Sequence, residues 1–137
     1  MLAIRHELLT FAPASEIFSA LTEQKRLRLW LTPDVFAEPV AGSNARVEWQ
    51  GYGWTLVVEI TKLEPGRLVE WRCIDSNVHG SDAWIDSVVR FEIQPQGEKT
   101  SRLVCSQNVD EEFDLWKQPL ASLKEYLETG IGHPYRS

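Results

Sequence analysis

Residues 113–130 read FDLWKQPLASLKEYLETG, and this stretch decides the predicted fold. Its large apolar side chains recur at intervals of four, three and four residues, at Trp116, Leu120, Leu123 and Leu127. That spacing predicts an α-helix with one apolar stripe. Such a helix buries its stripe against another layer, and a sheet is the natural surface to receive it. We therefore expect the upstream residues to form a sheet that curls around this helix and leaves a small apolar cavity.

The two ends of this helix carry different signals. Gly130 follows the last residue of the stripe and is the residue type that favours a left-handed C-cap. Pro119 complicates the other end, because proline is tolerated only in the first turn of a helix. Two alternatives follow: the helix begins near Trp116, or it is kinked at Pro119.

The chain upstream of this helix consists mainly of strand-like runs separated by turn residues. A first strand is predicted over residues 2–10, and two short helices that meet at Thr22 follow before Pro33. Further strands are predicted over residues 46–50, 54–63, 67–75, 85–94 and 100–109. Apolar and charged residues alternate along these runs, so one face of the sheet should be buried and the other wet. The short gaps between the runs favour an antiparallel meander.

Composition excludes several classes of protein. The net charge of −6 argues against a nucleic-acid-binding protein, because binding phosphates needs a clustered positive surface. No apolar run approaches the roughly 18 residues of a membrane span, and the charged N-terminus does not resemble a signal peptide. The two cysteines do not make a disulfide framework. We therefore expect a cytoplasmic protein without membrane insertion.

Six tryptophans in 137 residues are the unusual feature of the composition. Large aromatic side chains commonly fill a core, where each also presents one N–H group to a partner. They equally line ligand pockets, which combine aromatic walls with a few polar groups. Composition leaves both interpretations open.

Three segments resemble one known family. They are residues 4–33 (IRHELLTFAPASEIFSALTEQKRLRLWLTP), residues 63–71 (LEPGRLVEW) and residues 122–134 (SLKEYLETGIGHP). Trp116 also matches the tryptophan that opens the family's final helix. Together they resemble the START-like (SRPBCC) domains related to activators of the Hsp90 ATPase, in particular bacterial members. The resemblance covers nearly the whole chain, but Leu115 stands where many members have glycine, and residues 77–84 lack an obvious counterpart.

This resemblance implies an α+β helix-grip fold, the fold of the birch-pollen allergen. The expected order is a strand, two helices, six strands and a long C-terminal helix, with the curved antiparallel sheet wrapped around that helix. Residues 1–137 would form a single domain. The family further implies a cavity between the sheet and the C-terminal helix that commonly binds apolar small molecules. No catalytic motif is shared across the family, so the resemblance assigns no catalytic residue.

The strand pattern and the resemblance together nominate residues for this cavity. The predicted apolar and aromatic lining is Trp30, Trp49, Trp54, Trp71, Phe91, Trp116, Leu120 and Leu123. The predicted polar contacts are His6, Gln107 and Cys105, because the first strand of a helix-grip sheet pairs with the last. A Cys–His pair at this place could act as nucleophile and base, but such a histidine more often bonds a neighbour. Cys73 and Cys105 should be free thiols, since an intervening strand separates them by more than the ~7 Å that a disulfide spans.

The sequence is compatible with three functions. The first is binding of a small, mostly apolar or aromatic molecule in the cavity, without chemistry. The second is a cyclase or hydrolase that uses the same cavity. The third is a co-chaperone-like module that binds a protein partner. No metal site is expected, because His6, His79 and His133 lack ligand spacing, and no cofactor is expected. The sequence does not encode the oligomeric state.

Overall fold

The computed structural model describes residues 4–135 of the chain. Seven strands and three α-helices occur in these residues, together with short 3₁₀ turns. In chain order they are β1 (Ile4–Thr10), α1 (Ala14–Thr22), α2 (Gln24–Trp30), β2 (Asp34–Phe36), β3 (Asn44–Trp49), β4 (Trp54–Glu64), β5 (Leu68–Ser76), β6 (Val88–Pro95), β7 (Ser101–Gln107) and α3 (Lys117–Thr129).

The strands form one antiparallel sheet in the order β1-β7-β6-β5-β4-β3-β2. The first strand pairs with the last, which places His6 opposite Cys105 and Ile4 opposite Gln107. Every other pair joins strands that are consecutive along the chain, as in a meander. The predicted α+β helix-grip fold, with its order of one strand, two helices, six strands and one helix, is therefore confirmed.

The helix α3 settles the ambiguity at Pro119. The helix begins at Lys117, so Pro119 lies in the first turn, where its missing N–H group has no intrahelical partner to lose. Gly130 ends the helix in the left-handed conformation, with φ of 84°, and its N–H group donates to the carbonyl of Tyr126 at 2.8 Å. The helix buries Pro119, Leu120, Ser122 and Leu123.

The largest differences from the predicted strands lie in two segments. The short strand β2 was not predicted, because three residues are too few to show an alternation. Strand β6 begins at Val88 rather than residue 85. The chain turns before it, where Asp86 adopts a positive φ of 69° and its N–H group donates to the carbonyl of Cys73 at 2.7 Å.

The two faces of the sheet differ as the alternation predicted. The inner face packs under the helices, and the largest fully buried side chains of the core include Trp30, Trp84, Trp116 and Phe91. The outer face carries ion pairs between neighbouring strands, such as Arg90 with Glu70 at 2.6 Å and Arg72 with Glu59 at 3.3 Å. None of the helices within residues 4–135 is long and apolar enough to cross a membrane.

Candidate functional site

An aromatic cluster occupies the interior between the sheet and the start of α3. The ring of Trp116 lies 5.5 Å from Phe91 and 6.3 Å from Trp71, and Trp71 and Phe91 are 5.0 Å apart. Trp84, which was not among the predicted lining residues, stacks on Trp116 at 5.9 Å. The structure thus brings the predicted residues Trp71, Phe91 and Trp116 together, in contact with one another.

Gln107 supplies the polar partner of this cluster. Its amide oxygen accepts a hydrogen bond from the indole N–H of Trp116 at 2.8 Å, and its amide nitrogen donates to the hydroxyl of Ser87 at 3.1 Å. The Ser87 hydroxyl donates in turn to the carbonyl of Trp84 at 2.7 Å. Gln107 is fully buried, so these protein groups satisfy the polar contact that the sequence assigned to a ligand.

An enclosed apolar cavity lies on the other side of the interior, under α1 and α2. Its lining consists almost wholly of aliphatic side chains, with one ring, and is formed by Leu21, Thr22, Leu27, Leu31, Val35, Ala37, Ala45, Val47, Val58, Ile60, Leu63 and Trp71. The cavity measures about 10 Å³, which is room for about one water molecule. In this conformation it is too small for a ligand.

A much larger cleft opens where the end of the sheet meets the start of α3. Its volume is about 570 Å³, within the range of small-molecule sites. Three segments form its walls: the end of β3 with the following turn, the first turn of α3, and the residues after α3. The lining side chains are Trp49, Tyr52, Leu115, Gln118, Pro119, His133, Pro134 and Tyr135.

Stacked rings form one wall of the cleft. Tyr52 is 61% exposed and stacks on Trp54, with the ring centroids 4.4 Å apart and an interplanar angle of 17°. Tyr135 approaches Tyr52 to 5.3 Å from the opposite segment, and Trp49 meets Trp54 edge to face at 6.5 Å. Gly53 allows this arrangement, because it takes a φ of 70° between Tyr52 and Trp54.

The residues after α3, which we call the tail (residues 131–135), are held in place by hydrogen bonds. The N–H group of Tyr135 donates to the carbonyl of Leu31 at 3.0 Å, and the N–H group of His133 donates to the Ser122 hydroxyl at 2.7 Å. The amide nitrogen of Gln118 donates to the carbonyl of His133 at 3.1 Å. The tail therefore forms a fixed wall of the cleft.

His6 meets a partner that the sequence did not suggest. Its Nε2 lies 2.6 Å from a carboxylate oxygen of Asp114, whose second oxygen accepts the N–H group of Trp116 at 2.9 Å. The Nε2 atom of His79 lies 3.2 Å from the backbone carbonyl of Asp114. The contacts of Asp114 with His6 and His79 join residues far apart in the sequence, so no local pattern could have predicted them.

Cys105 lies opposite His6 but is fully buried. Burial raises the pKa of its thiol far above the usual range, and the charge of Asp114 raises it further. Burial likewise raises the pKa of Cys73 to about 11, although its interaction with the Ser87 side chain opposes this shift. Both cysteines are free thiols, as predicted. A protonated, buried thiol is a poor nucleophile, which weighs against the Cys–His alternative.

The remaining predicted residues are dispersed around these features. Trp49 is the predicted residue that lines the cleft, and Trp54 lies behind Tyr52. Trp30 is fully buried and its indole N–H donates to the carbonyl of Ala20 at 2.8 Å, while Leu120 and Leu123 lie on the buried side of α3. Within residues 4–135, no group of three or more His, Cys, Asp or Glu side chains could hold a metal ion.

Comparison with known proteins adds a family match. The family described as Activator of Hsp90 ATPase homolog 1-like protein matches residues 11–128. No curated protein matches the chain significantly.

Solved structures give the same likeness. The solution structure of the Aha1 dimer from Colwellia psychrerythraea is similar, with a TM-score of 0.79 and 25% identity over 96% of this chain and 100% of that chain. MLL2253 from Mesorhizobium loti matches at a TM-score of 0.72 and 20% identity, over 90% of this chain and 95% of that chain. CalU16 from Micromonospora echinospora matches at a TM-score of 0.69 and 19% identity, over 94% of this chain and 75% of that chain. The latter two, being below 25% identity, share the fold alone.

Proposed function

Because the chain belongs to the family of Activator of Hsp90 ATPase homolog 1-like proteins, we propose that it uses the family's helix-grip fold to bind a small, mostly apolar molecule. The binding site would be the cleft between the end of the sheet and the start of α3. The observation that carries this proposal is the cleft itself, with a volume of about 570 Å³ and walls that include Trp49, Tyr52 and Tyr135. Such a volume with aromatic walls and a few polar groups is typical of small-molecule sites.

The predicted interior residues have a supporting role in this proposal. The residues that do not line the cleft would contact a ligand only in a more open conformation, and they are Trp30, Trp54, Trp71, Phe91, Trp116, Leu120 and Leu123. His6, Gln107 and Cys105 stay predicted polar contacts of that open state. We further propose that residues 1–137 work as one domain in the cytoplasm, where free thiols such as Cys73 and Cys105 are the usual state of cysteine.

Titration with indole, followed by ¹H–¹⁵N spectra of the tryptophan side chains, tests this proposal. A ligand in the cleft should shift the indole signals of Trp49 and Trp54 and leave that of Trp30 nearly unchanged. The substitution Tyr52→Ala should weaken binding severalfold, because it removes a stacking face. Phe11→Ala is the matched control, since Phe11 is 74% exposed and does not line the cleft. Absence of any shift at millimolar indole would refute the proposal.

A co-chaperone-like role is the second candidate, and the 25% identity to the Aha1 structure over 96% of this chain favours it. In that case the protein would bind a bacterial Hsp90-type chaperone and raise its ATPase rate. The test is that rate, measured with and without the protein at increasing concentration. The cyclase or hydrolase alternative lacks comparable support, because the buried Cys105 thiol does not provide a nucleophile.

A further inference from the structure

The polar groups of the cleft indicate which aromatic molecules it selects. We infer that the cleft prefers an aromatic ligand carrying an amine over one carrying a carboxylate. This inference rests on the proposed function and specifies its ligand class. Four observations support it. They are the amide oxygen of Gln118, the ion pair of His133 with Glu125, the exposed faces of the tyrosine rings, and the position of the α3 lysines outside the cleft.

The amide of Gln118 is oriented by the tail. Its nitrogen donates to the carbonyl of His133 at 3.1 Å, and a carbonyl can only accept, so the orientation of the amide is determined. The amide oxygen is left without a partner within residues 4–135, and Gln118 lines the cleft. Gln118 therefore offers its amide oxygen to a ligand N–H donor, beside the second hydrogen of its amide nitrogen.

His133, which lines the cleft, is paired with a carboxylate. Its Nε2 lies 3.0 Å from the carboxylate of Glu125, which stands on α3. A ligand carboxylate beside His133 would be repelled by the carboxylate of Glu125, whereas a ligand ammonium would be attracted to it.

The aromatic wall favours the same class of ligand. The faces of tyrosine and tryptophan rings carry partial negative charge and attract cations. Tyr52 and Tyr135 stand 5.3 Å apart at the cleft and both contribute to its lining. An aromatic amine can use these rings twice, by stacking its own ring and by placing its ammonium against a neighbouring face.

The lysines of α3 lie elsewhere. Lys117 and Lys124 line a separate groove beside β1, together with His6, Leu8 and Leu120. The lining of the cleft contains no lysine or arginine among residues 4–135 that could neutralise a carboxylate. With a net charge of −6 on the whole chain, the long-range field also disfavours anions.

Three indole probes of similar size test the inference: tryptamine as the cation, indole as the neutral compound and indole-3-acetate as the anion. We expect tryptamine to bind the full chain about five- to tenfold more tightly than indole-3-acetate at pH 7, the sum of one cation–π contact and one exposed ion pair. The preference should shrink at high salt, because exposed charges are screened. Binding is measured by calorimetry and by the indole signals of Trp49 and Trp54.

Variants separate the local charge from the net charge. Glu125→Gln should reduce the preference for tryptamine, whereas Glu111→Gln changes the net charge equally at an exposed position outside the lining and should leave it intact. Equal binding of the three probes, or tighter binding of indole-3-acetate, would overturn the inference and leave the proposed function standing. Failure of all three probes to bind would overturn both.

Discussion

Gln107 is a buried amide that bonds at both ends, to the indole of Trp116 and the hydroxyl of Ser87. A buried polar group that loses its partner costs about 1–3 kcal/mol, more than a hydrogen bond gains on average. Gln107→Leu should therefore lower the free energy of unfolding by about that amount, because the N–H of Trp116 is left buried without an acceptor. Urea denaturation measures the change.

Gln94→Leu is the control for this prediction, because Gln94 is exposed on β6. It should change the free energy of unfolding by less than about 0.5 kcal/mol. Equal effects of the two substitutions would show that the amide of Gln107 contributes nothing specific to the interior.

The thiols of Cys73 and Cys105 give the stability a pH dependence. Burial raises the pKa of Cys73 from 9.0 to about 11, and that of Cys105 is raised further by burial and Asp114. The folded protein thus keeps protons that the unfolded chain releases above about pH 9. The stabilisation is complete below pH 9 and is lost as pH rises through the folded values.

We expect the free energy of unfolding to fall between pH 8 and pH 10.5, and to fall less in the variant with both Cys73→Ala and Cys105→Ala. Urea midpoints at several pH values measure this. Because lysine and tyrosine also titrate there, only the difference between the two proteins is informative. Identical declines would contradict the assignment to the thiols.

The close packing of the tail against α2 requires glycine at position 132. A Cβ atom at this position would stand 2.4 Å from the carbonyl oxygen of Leu29 and 3.2 Å from the Cα of Trp30. Gly132→Ala must therefore push the tail away from α2, at a cost of about 1–3 kcal/mol, as for other overpacked sites. Since Tyr135 belongs to the same segment, the affinity of the cleft for tryptamine should fall as well.

Gly97→Ala is the matched control for the tail, because a Cβ atom there meets nothing within 4 Å. Its free energy of unfolding, measured by urea denaturation, and its affinity for tryptamine should both stay close to those of the parent protein. If Gly132→Ala kept full affinity, the tail would not be the wall of the binding site.

Local sequence patterns predicted most of the helices and strands, but not all of their ends. The stripe from Trp116 to Leu127 predicted α3, and alternation predicted the long strands, because both patterns are local and follow burial. The start of α3 stayed ambiguous, since a proline fits either a first turn or a kink. Strand β6 was predicted three residues too early because the turn at Asp86 has no glycine to mark it.

The cleft was harder to predict than the fold. Tyr52 lies in a turn between glycines, and Pro134 and Tyr135 follow the last helix, so none of them belongs to a periodic pattern. The local turn places Tyr52 near Trp49, but only tertiary contacts bring Pro134 and Tyr135 there. The tryptophan count did indicate an aromatic site, but most of these rings fill the interior. An aromatic residue inside a glycine turn, as in Gly51-Tyr52-Gly53, is the one local signal of the cleft.

For the whole molecule, Asp114 joins segments that are remote in sequence. Its carboxylate contacts His6 on the edge strand β1 and the N–H group of Trp116 before α3, while its backbone carbonyl lies near His79. The two side-chain contacts fasten the outer strand of the sheet to the start of the helix that the sheet encloses. The contact with His79 involves the backbone, so it should not depend on which side chain occupies position 114.

A double-mutant cycle tests this fastening. Asp114→Asn keeps an oxygen for Trp116 but removes the charge beside His6, so it should cost about 1 kcal/mol, as should His6→Ala. The double variant should cost less than the sum, with a coupling of at least about 0.5 kcal/mol, because either substitution alone already breaks the pair. The changes in the free energy of unfolding caused by His79→Ala and Asp114→Asn should be additive, with no coupling between them. Urea denaturation at pH 7 supplies all the values, and a coupling near zero for His6 and Asp114 would mean that apolar contacts alone hold β1 against α3.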